Sequence, residues 1–106
     1  MTEAGESFPK VDRMVHEPSR LAILTVLSAC SSADFVFLQA ATGLTKGNLF
    51  VQLTRLEEAG LVHVEKTVHR NKPRTKVELS TWGKRQLSDY WRTMKKIQAQ
   101  AEIQPG

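Results

Sequence analysis

The sequence predicts a mainly α-helical domain that carries one small β-hairpin. Three features support this prediction: an apolar stripe at helical spacing, a glycine that ends the stripe, and an alternating pattern behind it. Leu49, Leu53 and Leu56 stand four and then three residues apart, so they line one face of a helix. Gly60 follows as the left-handed residue that ends a helix. The alternation of apolar and polar residues over 61–68 then predicts a half-buried strand.

Two helical segments precede this helix. Residues 16–20 lead into a first long helix that is apolar over much of its circumference and is therefore expected to be buried. Pro18 fits its first turn, because proline lacks only an amide that early turns leave unused. Residues 35–36 are predicted to form a very short strand, and residues 37–41 a short helix that ends at Gly43.

The helix predicted over residues 45–59 has the clearest signals. Thr45 is expected to cap it, because its hydroxyl oxygen can accept a hydrogen bond from the first free amides. Gly47 lies early on the face opposite the leucine stripe. A small residue at this position allows the start of the helix to approach another molecule closely.

A basic hairpin follows this helix. The strand at 61–68 is matched by a second alternating segment at 76–79, and the predicted loop between them covers residues 69–75. We call the basic part of this hairpin, residues 69–76, the wing. A helix followed by a strand and a basic hairpin is the order of a winged helix-turn-helix, which is a DNA-binding fold.

The last helix carries an apolar seam that one small domain cannot cover. Ser80 or Thr81 is expected to cap it, and it is predicted to run to about residue 104. Apolar residues recur on it at alternating spacings of three and four, as in a coiled-coil seam. A helix of ~24 residues is ~36 Å long and overhangs a small core, so a second copy of the chain is the simplest partner. The predicted dimer interface consists of Val11, Met14, Val15, Leu87, Tyr90, Trp91, Met94, Ile97 and Ala101.

Length and charge bound the function. The 106 residues suffice for one domain with a modest core, and the net charge of +4 suits a polyanionic partner. Residues 66–76 contain five Lys or Arg side chains and no acidic one, so the positive charge is concentrated in the hairpin. We expect residues 1–10 to be a flexible N-terminus, and residues 11–104 to form one domain that includes a dimerisation helix at about 81–104.

Several other classes of protein are disfavoured. The single Cys30 is expected to be a buried hydrophobe, since it cannot form an intrachain disulfide or a cysteine-based metal site. The three histidines lack metal-ligand spacing, so no metal or other cofactor is expected. The chain has no Gly-rich phosphate loop or nucleophile elbow, which argues against an enzyme. Residues 1–15 lack an apolar signal core and no stretch is long enough to span a bilayer, so we expect a cytoplasmic protein without a membrane partner.

Several segments together resemble the small stand-alone winged-helix transcriptional regulators near the MarR and ArsR groups. The start of the helix at Thr45 and its exit through Gly60 are the most specific of them. The resemblance implies a homodimer that places the helix from Thr45 in the major groove and the wing on the minor groove or the backbone. It leaves room for a small-molecule effector but identifies none. The resembling segments are 16–24, 34–35, 43–49, 56–62 and 79–83, within about residues 11–100.

Two features depart from the pattern of these regulators. Relatives carry small polar residues and a histidine where this chain has Phe50, Val51 and Gln52, so apolar contact with thymine methyls is expected to replace part of the hydrogen-bonded recognition. The paired cysteines of the metal-sensing relatives are absent from the helix, so a metal effector is not expected. The predicted DNA-binding residues are Thr45, Lys46, Gly47, Asn48, Val51, Gln52, Thr54, Arg55, Arg70, Lys72 and Arg74.

Two alternatives to a sequence-specific regulator stay open from the residues alone. In the first, the chain is a winged-helix protein-interaction module whose basic wing meets an acidic protein. In the second, it has an architectural or RNA-binding role without sequence preference. The basic run beside a helix that begins with Gly47 and Asn48 favours duplex DNA.

Overall fold

The computed structural model describes residues 9–102, which form four helices and a small antiparallel sheet. Their order confirms the predicted winged helix-turn-helix with a long C-terminal helix. Residues 1–8 and 103–106 lie outside the described residues, and with them most of the predicted flexible N-terminus and the predicted end of the last helix. The elements are α1 (Pro18–Ser28), β1 (Ala33–Asp34), α2 (Phe35–Thr42), α3 (Lys46–Glu58), β2 (Val62–His69), β3 (Lys72–Leu79) and α4 (Thr81–Ala101).

The predicted helix caps are present. The Thr45 hydroxyl oxygen accepts a hydrogen bond from the Asn48 amide at 3.1 Å, so α3 begins one residue after its cap. Gly43 and Gly60 have φ angles of +73° and +79°, the left-handed conformation expected where α2 and α3 end. Ser80, one of the two predicted candidates, caps α4 by accepting from the Gly83 amide at 2.8 Å.

The short strand predicted at Phe35–Val36 is wrong. Phe35 starts α2 instead, because the Asp34 carboxylate accepts a hydrogen bond from the Phe37 amide at 2.7 Å and caps that helix. The strand lies just before, at Ala33–Asp34, and pairs antiparallel with β3. The sheet therefore has three strands in the order β1-β3-β2, one more than the predicted hairpin.

The loop predicted at residues 69–75 is also wrong. Arg70 and Asn71 have φ angles of +53° and +65° and form a two-residue turn, so the strands pair as far as His69 opposite Lys72. Left-handed residues at both turn positions match the natural twist of a hairpin. Pro73 lies within β3 at a point that β1 does not reach, so its missing amide leaves no gap between strands on that side. The wing is thus a paired ribbon with a tight tip.

The core lies between the helices and one face of the sheet. Its fully buried side chains come from every helix except α4 and from both long strands, and α4 adds Leu87 and Tyr90. Gly83 brings α4 against the junction of α3 and β2, because a Cβ atom there would collide with the backbone carbonyl of Leu61. The Ser80 amide also donates to that Leu61 carbonyl at 3.0 Å.

Burial within the single chain corrects part of the predicted dimer interface. Val15, Leu87 and Tyr90 are 0%, 5% and 4% exposed, so their side chains belong to the core of the chain and offer almost no surface to a partner. The Tyr90 hydroxyl also lies 2.8 Å from His16 Nδ1, which fastens the segment before α1 to α4. Cys30, predicted to be buried, is half-buried, and its thiol donates to the Val26 carbonyl at 3.4 Å.

Candidate nucleic-acid interface

The surface of α3 that points away from the core is contiguous and lacks acidic side chains over its first three turns. Leu49, Leu53 and Leu56 hold the opposite stripe in the core, so the exposed positions fall together on one side. Thr45 lies beside this surface and is also exposed. We call this surface the outer face of α3; it comprises Lys46, Gly47, Phe50, Val51, Thr54 and Arg55.

Asn48 and Gln52, two predicted DNA-binding residues, are held to the body of the domain. The Asn48 side-chain amide donates to the Ser19 hydroxyl at 3.2 Å. The Gln52 amide donates to the Asn48 side-chain oxygen at 3.0 Å, and the Gln52 oxygen accepts from Arg20 at 3.0 Å. Both residues are half-buried. These hydrogen bonds therefore fix the orientation of α3 relative to α1.

Arg20 anchors this network from the first turn of α1. Its Nε donates to the Met14 carbonyl at 2.7 Å, and its guanidinium lies 3.8 Å from the Glu17 carboxylate. Only 11% of the Arg20 side chain is exposed, so these bonds satisfy a nearly buried charge. Sequence inspection did not single out Arg20 as a functional residue, although its position two residues after a helix-starting proline was visible.

The wing carries the predicted cations on exposed positions. Arg70 lies in the tight turn and Lys72 directly follows it, and both are exposed. Arg74 is instead paired with Asp34 at 2.7 Å, although its side chain is still 47% exposed. Because Asp34 also caps α2, this ion pair connects the wing to α2, the helix that precedes α3.

Sequence inspection left one residue of the outer face out of the predicted set. The Phe50 side chain is 64% exposed on α3, and its neighbour Val51 is 44% exposed. The polar side chains of Asn48 and Gln52 on the same helix are hydrogen-bonded to the body of the domain, so the apolar side chains of Phe50 and Val51 remain on the exposed side. Val36 and Phe37 on α2 are exposed as well, by 74% and 49%.

Among residues 9–102, no group of three or more His, Cys, Asp or Glu side chains is arranged to hold a metal ion. No helix in the described part of the chain combines the length and apolarity needed to cross a bilayer. A cavity of about 270 Å³ lies between the end of α1 and α4, with Leu27, Cys30, Lys84 and Trp91 among its lining residues.

A helix with an exposed face, set in a helix-turn-helix beside a basic two-stranded wing, defines the class of winged-helix DNA-binding proteins. Residues 19–98 match the family model described as a winged helix DNA-binding domain, and the chain belongs to this family.

Known proteins agree with this assignment. The chain is 31% identical to MJ0432 of Methanocaldococcus jannaschii over 71 residues, which are 67% of this chain and 77% of that protein. A transcriptional regulator homologue from Pyrococcus horikoshii superposes with a TM-score of 0.82 at 28% identity, over 97% of this chain and 100% of that one. A MarR-family regulator from Enterococcus faecalis gives 0.67 at 21% identity, over 96% and 92% of the two chains, which shows the shared fold.

Proposed function

We propose that this chain is a sequence-specific regulator of transcription that binds double-stranded DNA as a homodimer, and that it is not an enzyme. The outer face of α3 enters the major groove, and the wing contacts the backbone or the minor groove. The observation that carries this proposal is the network from Arg20 through Gln52 and Asn48 to Ser19, because it holds α3 rigidly while leaving its outer face exposed.

Each part of α3 has its own role in this proposal. The free backbone amides in the first turn, next to the cap Thr45, favour a phosphate. Lys46 reaches a phosphate or a guanine edge. The Thr54 hydroxyl already donates to the Phe50 carbonyl at 2.9 Å, so its methyl group, with Val51, is the part that contacts thymine methyls. Arg55 lies one turn further along and contacts the backbone, while Asn48 and Gln52 support the helix from behind.

The wing contributes affinity more than specificity. Arg70, Lys72 and Arg74 are long cations on a paired ribbon, and each phosphate contact they make releases counterions. Arg74 contributes less than the other two, because its charge is already offset by Asp34.

The homodimer forms through the second half of α4. Trp91 is 43% exposed, and Met94 and Ile97 are half-buried along the same side of the helix, with Ala101 beyond them. Val11 and Met14, in the segment before α1, are half-buried and extend this apolar surface. Two-fold symmetry in the protein then requires two half-sites in inverted orientation, about 10 base pairs apart.

Selection of bound sequences from random duplex DNA tests the proposal directly. We expect an inverted repeat with short half-sites. The variants Lys46→Ala and Val51→Ala should weaken binding to the selected duplex by about 1–3 kcal/mol and leave binding to random duplex unchanged. If neither variant changes either affinity, α3 does not contact the bases.

The alternative function is a protein-interaction module, and the exposed Val36 and Phe37 on α2 favour it. Failure to enrich any sequence, with no binding to random duplex at low salt, supports this alternative. Enrichment of no sequence despite strong salt-dependent binding supports an architectural role instead. A small-molecule effector stays a prediction without an assigned ligand.

A further inference from the structure

The first two turns of α3 present an apolar surface where a helix that recognises bases usually presents polar groups. Phe50 and Val51 are 64% and 44% exposed on the outer face. Exposing a large aromatic side chain to water is unfavourable, and the gain on covering it scales with the apolar area removed from water. Phe50 therefore favours a complex in which an apolar group of the partner lies against its ring.

The polar side chains of these turns are engaged elsewhere. The Asn48 amide donates to Ser19, the Gln52 amide donates to the Asn48 oxygen, and the Gln52 oxygen accepts from Arg20. Within residues 46–53, Lys46 is the exposed side chain that carries a hydrogen-bond donor. A helix with these properties has little means to distinguish base pairs by paired hydrogen bonds.

We propose that Phe50, together with Val51, recognises the C5-methyl groups of thymines in the major groove. The thymine methyl is the apolar group that standard base pairs display in that groove, so it is the chemical match for an exposed aromatic ring. This inference rests on the proposed DNA-binding function and extends it by naming the group that specifies the half-site.

Duplex DNA fits this surface better than a protein partner does. Lys46 adjoins the two apolar side chains, and the unpaired amides at the start of α3 favour an anion beside them. The wing adds the cations Arg70 and Lys72, and the chain carries a net charge of +4. Phosphates flanking a thymine methyl supply this combination of charge and apolar contact.

The same chemistry extends to methylated cytosine. A cytosine methylated at C5 carries an equivalent methyl group at the same place in the groove as thymine. At a position that Phe50 contacts, we therefore expect a 5-methylcytosine pair to bind more tightly than an unmodified cytosine pair.

The test removes or adds single methyl groups on the DNA. In the duplex obtained by selection, each thymine of a half-site is replaced by deoxyuridine, which keeps every hydrogen-bonding group. The parent protein should lose about fourfold in affinity for each contacted methyl, since burial of one such group contributes on this scale. At the most sensitive position, 5-methylcytosine should bind about fourfold more tightly than cytosine.

Two variants assign the effect to its side chain. At the thymine whose methyl group Phe50 contacts, Phe50→Ala should bind the thymine and deoxyuridine duplexes equally well, while thymines contacted by Val51 keep their preference. The thermal unfolding of the variant should match that of the parent, because the ring is mostly exposed. Val36→Ala, which truncates an exposed apolar residue on α2, is the matched control and should keep the preference for thymine.

The outcomes separate the inference from the function on which it rests. A parent protein that prefers the selected duplex but is indifferent to deoxyuridine overturns the inference and leaves the DNA-binding function standing. If Phe50→Ala keeps the parent's thymine preference at every position of the half-site, the inference is also overturned and Phe50 becomes a candidate contact for a protein partner. A parent that binds selected and random duplexes equally overturns the proposed function itself.

Discussion

Gly83 shows how one residue fixes the position of the last helix. The Cα of this helical glycine lies so close to the Leu61 carbonyl that no side chain fits. The same carbonyl accepts from the Ser80 amide at 3.0 Å, so the start of α4 is fastened to the entry of β2. A glycine in a helix ordinarily lowers helix stability, and here the close contact explains its presence.

Replacement of this glycine should therefore be costly. We expect Gly83→Ala to lower the free energy of unfolding by about 3 kcal/mol, because the new methyl collides with backbone that cannot move aside alone. Equilibrium denaturation in urea measures this loss. An unchanged midpoint for Gly83→Ala would contradict the packing described at Leu61.

Gly47 is the matched opposite case. A Cβ at Gly47 meets nothing within 4 Å, so Gly47→Ala should raise the free energy of unfolding by up to about 1 kcal/mol through helix propensity. The same variant should bind the selected duplex more weakly, because the added methyl stands on the face proposed to approach DNA. Denaturation and binding measured on one preparation distinguish the two effects. A Gly47→Ala variant that is more stable and binds normally would show that the helix backbone does not approach the duplex at this point.

The ends of α3 could be predicted from the sequence, because the residues that determine them lie close together along the chain. Thr45 and Gly60 mark the ends of α3 through bonds and dihedral angles that involve only near neighbours. The short strand was predicted two residues too late, because β1 has only two residues and forms by pairing with Lys76 and Val77, which are distant along the chain. The inward orientation of Asn48 likewise depends on Ser19, which is distant along the chain.

The tip of the wing was also predicted incorrectly from the sequence. Asn71 and Pro73 are common loop residues, which suggested a long loop. The structure uses Arg70 and Asn71 as a two-residue turn and keeps Pro73 in the strand. A paired ribbon holds its cations at fixed positions, so each is expected to make a definite contact.

This rigidity yields a prediction for the salt dependence of DNA binding. Arg70→Ala should lower the slope of log K against log salt by about 1, since one phosphate contact is lost. Lys96→Ala is the control, because it removes an exposed cation from the far half of α4. Titrations at several salt concentrations measure both slopes. If Arg70→Ala and Lys96→Ala behave alike, the wing tip does not touch the phosphates.

The periodicity of α4 alone could not distinguish core residues from residues of the proposed dimer interface. Leu87 and Tyr90 continue the apolar seam of α4, but the chain buries them itself. The seam pattern is the same for both fates, because a helix that packs first on its own domain and then on a partner uses one continuous face. The distal half of α4, together with Val11 and Met14, is left as the surface for a second copy.

The dimer is therefore best tested beyond Tyr90. A glutamate at Ile97 should produce monomers at micromolar concentration in sedimentation, because it buries a charge in the proposed interface. Gln98→Glu adds the same charge at an exposed neighbouring position and should leave the dimer intact. A native circular dichroism spectrum for each variant would show that the domain still folds and that only association was altered. A Tyr90 substitution, by contrast, would disturb the core and its bond to His16.

Loss of the dimer should also weaken binding to a duplex that carries two half-sites. The Ile97→Glu monomer should bind one half-site as the parent protomer does, yet lose the gain that comes from joining two half-sites on one duplex. The parent should bind the inverted repeat far more tightly than a single half-site, and the monomer should bind the two equally. A parent that sediments as a monomer at micromolar concentration contradicts the homodimer, and the apolar end of α4 would then have to meet a different chain.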